Sequence, residues 1–124
     1  MVEMLLRDTE SWNGTSWTEV NNLNTSRKKP ANGGGSSTSA ICAGGATTTF
    51  VAINEEWDAV SWTEVADLST ARNSAGGTAT SSASGLVGGG ETTTQVANTE
   101  EWTMPQNVEI ITDFYVLWHS PLFC

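Results

Sequence analysis

Residues 40–72, AICAGGATTTFVAINEEWDAVSWTEVADLSTAR, decide how the rest of the chain is read. A short apolar run closes on the pair Gly44-Gly45, and a threonine-rich turn, Thr47 to Thr49, follows. An extended segment then ends at Trp57, Asp58-Ala59-Val60 makes a tight connection, and a second extended segment opens at Trp62. From there the chain descends through Leu68 to Arg72. Everything before Thr103 repeats some part of this unit.

Shifting the sequence by 45 residues lays Glu10 on Glu55 on Glu100, and Trp12 on Trp57 on Trp102. Ser-Trp-Thr-Glu-Val occurs at 16–20 and again at 61–65, so Trp17 meets Trp62. Leu23, Thr25 and Arg27 meet Leu68, Thr70 and Arg72. Gly44-Gly45 meets Gly89-Gly90, and Thr47–Thr49 meets Thr92–Thr94. Residues 10–54 and 55–99 share 20 identities over 45 positions without a gap, which biased composition cannot produce by chance. A fixed period of this size marks stacked supersecondary units.

Composition says what the units are made of. Gly, Ser, Thr and Asn abound while large aliphatics are sparse, a mixture that suits short strands and tight turns rather than helices. Such polarity alone would fit a disordered chain, but six tryptophans argue for a packed interior. At 124 residues that interior is small. The formal charge of -9, with five Lys and Arg, excludes nucleic acid and anionic membrane as natural partners. No apolar stretch reaches the length of a membrane span, and MVEMLLRDTE lacks a signal pattern. A soluble chain, or a piece of one, is expected, with its compartment unassigned.

Within one unit, side-chain bulk grows along the chain. Ser74 to Ser82 is almost wholly small, Ser84 to Gly89 is a short apolar run, and Thr94 to Trp102 is extended. The equivalent of that last segment one repeat earlier is followed by a strand at Ser61 to Ala66. Four short antiparallel strands per unit are therefore expected, in a wedge whose narrow edge holds the small residues. Glycines in the second strand would let neighbouring backbones approach closely. This is the physical description of a β-propeller blade.

The same residues resemble the kelch repeat. ICAGG, then Glu55-Glu56-Trp57, then Trp62, give the apolar run into Gly-Gly, the Glu-x-aromatic step and the later tryptophan. Leu68-Ser69-Thr70-Ala71-Arg72 resembles the kelch stretch leading into the next blade. The resemblance covers about residues 8–102, with tryptophan at 57 and 102 where kelch usually has tyrosine. It implies an all-β chain of tandem four-stranded antiparallel blades in an incomplete propeller. Gly44, Gly45, Gly89, Gly90, Trp12, Trp17, Trp57, Trp62 and Trp102 would be its structural positions. A WD repeat is a poorer match, because the Trp-Asp pair at 57–58 becomes Trp-Asn at 12–13 and Trp-Thr at 102–103.

Blade counting gives a partial blade at about 8–21, a full one at about 32–66 and three strands of another at about 74–102. A closed propeller takes roughly four to eight blades. A fragment of a longer array is the expected state, with self-association or an open stack as alternatives. From Thr103 the pattern breaks, and Asn107 stands where the period asks for tryptophan. The apolar run VEIITDFYVLW, 108–118, admits three readings: a substitute fourth strand, a cap over the open face, or an end without an evolved role. Tyr115 and Trp118 within it, and His119 after it, read as packing or tail rather than a site.

No catalytic constellation emerges. One histidine, His119, forbids a zinc cluster or a Ser-His-Asp triad in the repeats. Gly33-Gly34-Gly35 and Gly88-Gly89-Gly90 lack the lysine and helix of a phosphate loop. Glu55-Glu56 and Glu100-Glu101 recur in phase and read as structural or solvated carboxylates rather than a metal or acid–base pair. Cys42 reads as a buried small hydrophobe. Neither a cofactor nor enzymatic activity is expected. Binding remains: the kelch resemblance implies that the loops 46–49 and 91–94 and the linkers 27–30 and 72–74 share one face. Arg27, Arg72, Asn73, Thr47, Thr48, Thr92 and Thr93 are the candidate ligand residues, the arginines offering planar donors to carboxylates. The competing role for Arg27 and Arg72 is to brace the repeat against Glu19 or Glu64. Two function classes follow: an interaction module for protein or glycan, and a purely structural array of a surface or virion protein.

Overall fold

The computed structural model describes residues 4–103 and 107–110. Ten strands run in chain order: β1 (Thr9–Trp12), β2 (Trp17–Val20), β3 (Ala31–Ser36), β4 (Ser39–Ala43) and β5 (Asn54–Trp57), then β6 (Trp62–Val65), β7 (Gly76–Ser81), β8 (Ser84–Gly88), β9 (Thr99–Thr103) and β10 (Asn107–Ile110). They form three antiparallel sheets: β1-β2, β3-β4-β5-β6 and β7-β8-β9-β10, called sheets one, two and three below. Among the described residues there is no helix. The chain is all-β, and the described residues form no closed ring.

Local chemistry sets the hairpins. Asp58 Oδ1 accepts the amides of Val60 (2.9 Å) and Ser61 (2.8 Å), and Asn13 Oδ1 accepts those of Thr15 and Ser16 in the same way. Each side chain so mimics a backbone turn and folds the next strand back. These two amide bonds hold the Asp58 carboxyl below the ordinary carboxylate range. The Trp-Asp pair is thus one of two interchangeable turn formers. The residue after it needs a left-handed backbone: Gly14 takes φ +98°, and Ala59 is held at +84°. Immediately outside each turn a tryptophan pair faces across the strands, Trp12 with Trp17 at 5.3 Å and Trp57 with Trp62 at 5.4 Å.

Sheet three has four strands where repetition alone counts three. Residues 107–110 pair along β9, so that Val108 stands opposite Trp102 and Asn107 opposite Thr103. The connection slips by one residue, and Val108 takes the register position that Trp62 holds in sheet two. Tyr115, Trp118 and His119, and with them the cap reading of the tail, lie outside the described residues.

Sheets two and three pack through their first strands. A Cβ on Gly33 would stand 2.6 Å from the backbone of Thr78 and Ala79, and one on Gly35 would strike the Thr80 carbonyl oxygen. Close backbone approach thus occurs along the first strand, and also at the glycine pair that closes the second, where a Cβ on Gly44 would meet the Arg72 carbonyl oxygen at 2.6 Å and one on Gly45 that of Lys28 at 2.7 Å. In the second strand Gly85 instead makes room for the Ile41 side chain. The apolar core fills the same interface: Ala31, Ala43, Leu68 and Val87 form one cluster, and Ile41, Val65 and Trp102 another. Gly44 and Gly45, at φ +67° and +99°, carry the chain out of β4 and beneath the linkers. There the Gly45 amide donates to the Arg72 carbonyl at 2.7 Å.

Candidate functional site

Each linker enters its sheet through an arginine. Arg27 Nη2 meets Glu55 Oε2 at 2.9 Å, and its guanidinium also donates to the carbonyls of Ile53 (2.7 Å) and Cys42 (3.1 Å). Arg72 repeats the arrangement with Glu100 at 2.7 Å and the carbonyls of Gly89 and Asn98. The carboxylates hold the linkers in turn. Glu55 Oε1 accepts the Asn24 backbone amide at 2.8 Å, and Glu100 accepts the amides of Ser69 and Thr70. All four side chains are buried, between 0% and 2% exposed.

This placement corrects two expectations. The brace runs to Glu55 and Glu100, in the third strand of the sheet being entered, whereas Glu19 and Glu64 lie exposed on the fourth-strand side. The arginines also do not offer their planar donors to a ligand. Their terminal donors are engaged inside, and Nε of each is buried without a partner among the described residues. Of the acidic pairs, Glu55 and Glu100 are buried while Glu56 and Glu101 are half-buried on the opposite face, as strand alternation requires. Cys42 lies beside this pair, and burial pushes its thiol up despite the opposing pull of Arg27. A thiolate nucleophile is not favoured there.

The threonine loops are held in the same phase. The Thr47 amide donates to Thr49 O at 2.9 Å and the Thr92 amide to Thr94 O at 2.9 Å, closing two equivalent turns. Thr48 and Thr93 project into solvent, while Thr47 and Thr92 are half-buried. Asn73 is buried, and its backbone pairs with Glu91 as Lys28 pairs with Ala46, so linker and loop lie side by side in both repeats. The Ser74 amide donates to Lys29 O at 3.0 Å and joins one linker to the next. Loops and linkers thus come together along one edge, which exposes threonine hydroxyls together with Lys29, Ser74 and Glu91.

The tryptophans divide by position. Trp57 and Trp102 are 4% and 2% exposed, and their indole N–H groups donate to Ser37 O and Ser82 O in the inner hairpin of their own sheet. Trp62 is half-buried and donates to Thr9 Oγ1. Trp12 and Trp17, in sheet one, are 45% and 64% exposed. Beside them a trough runs along the outer edge of β1. One part, about 460 Å³, lies between Asp8, Leu23, Pro30 and Cys42; the other, about 410 Å³, lies between Trp12, Ser37 and Ala40. Thr9, Glu10 and Trp62 line both. The period already makes residues 8–21 the last two strands of a unit, so an open edge at β1 was legible, while the trough beside it was not. No family model matches the chain, and no curated protein matches its sequence. Among the described residues, no three His, Cys, Asp or Glu side chains gather as metal ligands would.

Proposed function

We propose that the chain is a kelch-type segment of a β-propeller, acting as a non-catalytic interaction module that meets a protein or glycan along its loop edge. The observation that carries this reading is the pair of threonine turns held in identical phase over buried Arg–Glu braces. A rigid scaffold that presents equivalent polar loops on one side is how binding surfaces are built on repeats. The order of glycine pair, aromatic, tryptophan and arginine, together with four-stranded antiparallel sheets, supports the kelch assignment. With the arginines engaged inside, recognition falls to Thr48, Thr93 and the neighbouring exposed groups rather than to Arg27 and Arg72.

A double variant, Thr48→Arg with Thr93→Arg, tests this on arrays of glycans and immobilised peptides. Binding by the parent chain that disappears at unchanged melting temperature is the expected result. A parent chain that captures nothing, or a variant that binds equally well, defeats it. The second reading, a structural array, draws support from the same braces, since both arginines serve only the stacking of repeats. That reading expects neither chain to bind.

A further inference from the structure

Glycine follows asparagine twice in this chain, at Asn13-Gly14 and at Asn32-Gly33, and the fold gives the two pairs opposite settings. Asn13 and Gly14 sit in the exposed turn between β1 and β2. Gly14 takes φ +98°, its amide makes no hydrogen bond among the described residues, and a Cβ there would meet nothing within 4 Å. The Asn13 side chain is held by its oxygen alone. Oδ1 accepts the Thr15 and Ser16 amides at 2.8 and 2.9 Å, while Nδ2 has no partner among the described residues. Asn32-Gly33 is locked instead. Both residues lie in the β3–β4 ladder, opposite Cys42 and Ile41, and the Gly33 backbone is pressed against Thr78 and Ala79. The open edge of sheet one is not what exposes the Asn13 turn. Asp58, in phase with Asn13, is exposed at the same turn of the complete sheet two.

We propose that Asn13 is a self-modification site, where the chain turns its own asparagine into aspartate and isoaspartate through a cyclic imide. The Gly14 amide nitrogen, its proton taken by hydroxide, adds to Asn13 Cγ. The Cγ–Nδ2 bond then breaks, and ammonia leaves with a proton regained from water. An oxygen already held by two amides can take up the charge that builds on it during this addition. Glycine brings no Cβ to obstruct the ring. Water then opens the imide at either carbonyl. Opening at Cγ gives aspartate, and opening at the backbone carbonyl gives isoaspartate, with the chain running through Cβ and Cγ. The two products differ in consequence. Aspartate does at this turn what Asp58 does in phase, so the hairpin survives with an added negative charge. Isoaspartate lengthens the backbone by a carbon and removes the side-chain acceptor of Thr15 and Ser16. The turn then opens, and Trp12 parts from Trp17. Ala59 follows Asp58 and slows the same ring closure in sheet two, so one repeat carries a clock that its neighbour lacks. The inference is independent of the loop edge proposed above.

The test incubates the full chain in mildly alkaline buffer made with heavy-oxygen water and follows it by peptide mapping. Residue 13 should exchange NH2 for a hydroxyl carrying the heavy isotope, and should split into aspartyl and isoaspartyl peptides. Conversion of Asn32 should be at least about tenfold slower, because its ladder must open first. Gly14→Ala should slow residue 13 by about tenfold or more, since a Cβ crowds the attacking nitrogen. Its circular dichroism should match the parent, because Ala59 already holds the equivalent turn at φ +84°. Tryptophan fluorescence should change in step with the isoaspartyl fraction and keep the parent value in Asn13→Asp. A residue 13 still intact when the urea-unfolded chain has converted overturns the proposal. So do equal rates at Asn13 and Asn32, or a Gly14→Ala chain that converts as fast as the parent, which would mean direct hydrolysis without the ring. Fluorescence that ignores the isoaspartyl fraction overturns the opening of the turn.

Discussion

At the scale of single residues, the buried Arg–Glu pair decides more than any other contact. Removing one partner of a buried ion pair costs about 3–5 kcal/mol, against a total of about 5–15 kcal/mol for a typical domain. Replacing both partners by apolar groups is often close to neutral. Here it is not expected to be, since the Gly89 and Asn98 carbonyls and the Ser69 and Thr70 amides lose their partners as well. Each such orphaned group costs about 1–3 kcal/mol. Arg72→Met should therefore destabilise by about 3–5 kcal/mol in urea unfolding, and adding Glu100→Leu should not restore the loss. A double variant as stable as the parent would mean that the backbone groups find other partners. The sequence shows that Arg and Glu recur in phase. It does not show which of Glu19, Glu55 and Glu64 an arginine reaches, because that depends on a linker crossing to a strand 28 residues away.

Among elements, β3 and β7 carry the closest approach in the structure. Gly33→Ala would drive a Cβ into backbone atoms of Thr78 and Ala79 that cannot turn aside, so a loss of about 1–3 kcal/mol is expected. Gly76→Ala is the matched control, since its nearest neighbour would be Gly88 O at 3.9 Å. That substitution should stay within about 0.5 kcal/mol of the parent, as ordinary surface changes do. Equal thermal shifts for the two variants would refute the close-approach argument. The strands themselves were legible: extended segments ending in Trp57 and Trp102 lie one period apart and become β5 and β9. The packing glycines of the first strand were not, because Gly33 and Gly35 align with Thr78 and Thr80 and so leave no repeating signal. Those threonines are exposed on sheet three, where a further first strand could not approach as closely as β7 approaches β3.

For the whole molecule, the unequal completeness of the three sheets predicts unequal stability. Sheets two and three have four strands each and share the apolar core. Sheet one is a single hairpin, and an isolated two-stranded hairpin is at best marginal in water. Side-chain bonds attach it to sheet two, from Trp62 to Thr9 at 3.0 Å and from Asn21 to the Val60 carbonyl at 2.6 Å, while the Asn24 amide reaches Glu55. Its tryptophans remain in contact with solvent, so the hydrophobic gain that anchors Trp57 and Trp102 is only partly realised there. Segments with few buried apolar contacts open locally at low free energy while the core opens only with the whole. Amide hydrogen exchange should accordingly be fast across Thr9–Val20 and slow in β4, β5, β8 and β9, with the slow group rising and falling together as urea is added. Protection of β1 and β2 equal to that of β5 would contradict this hierarchy and would show that the hairpin is held as firmly as the complete sheets.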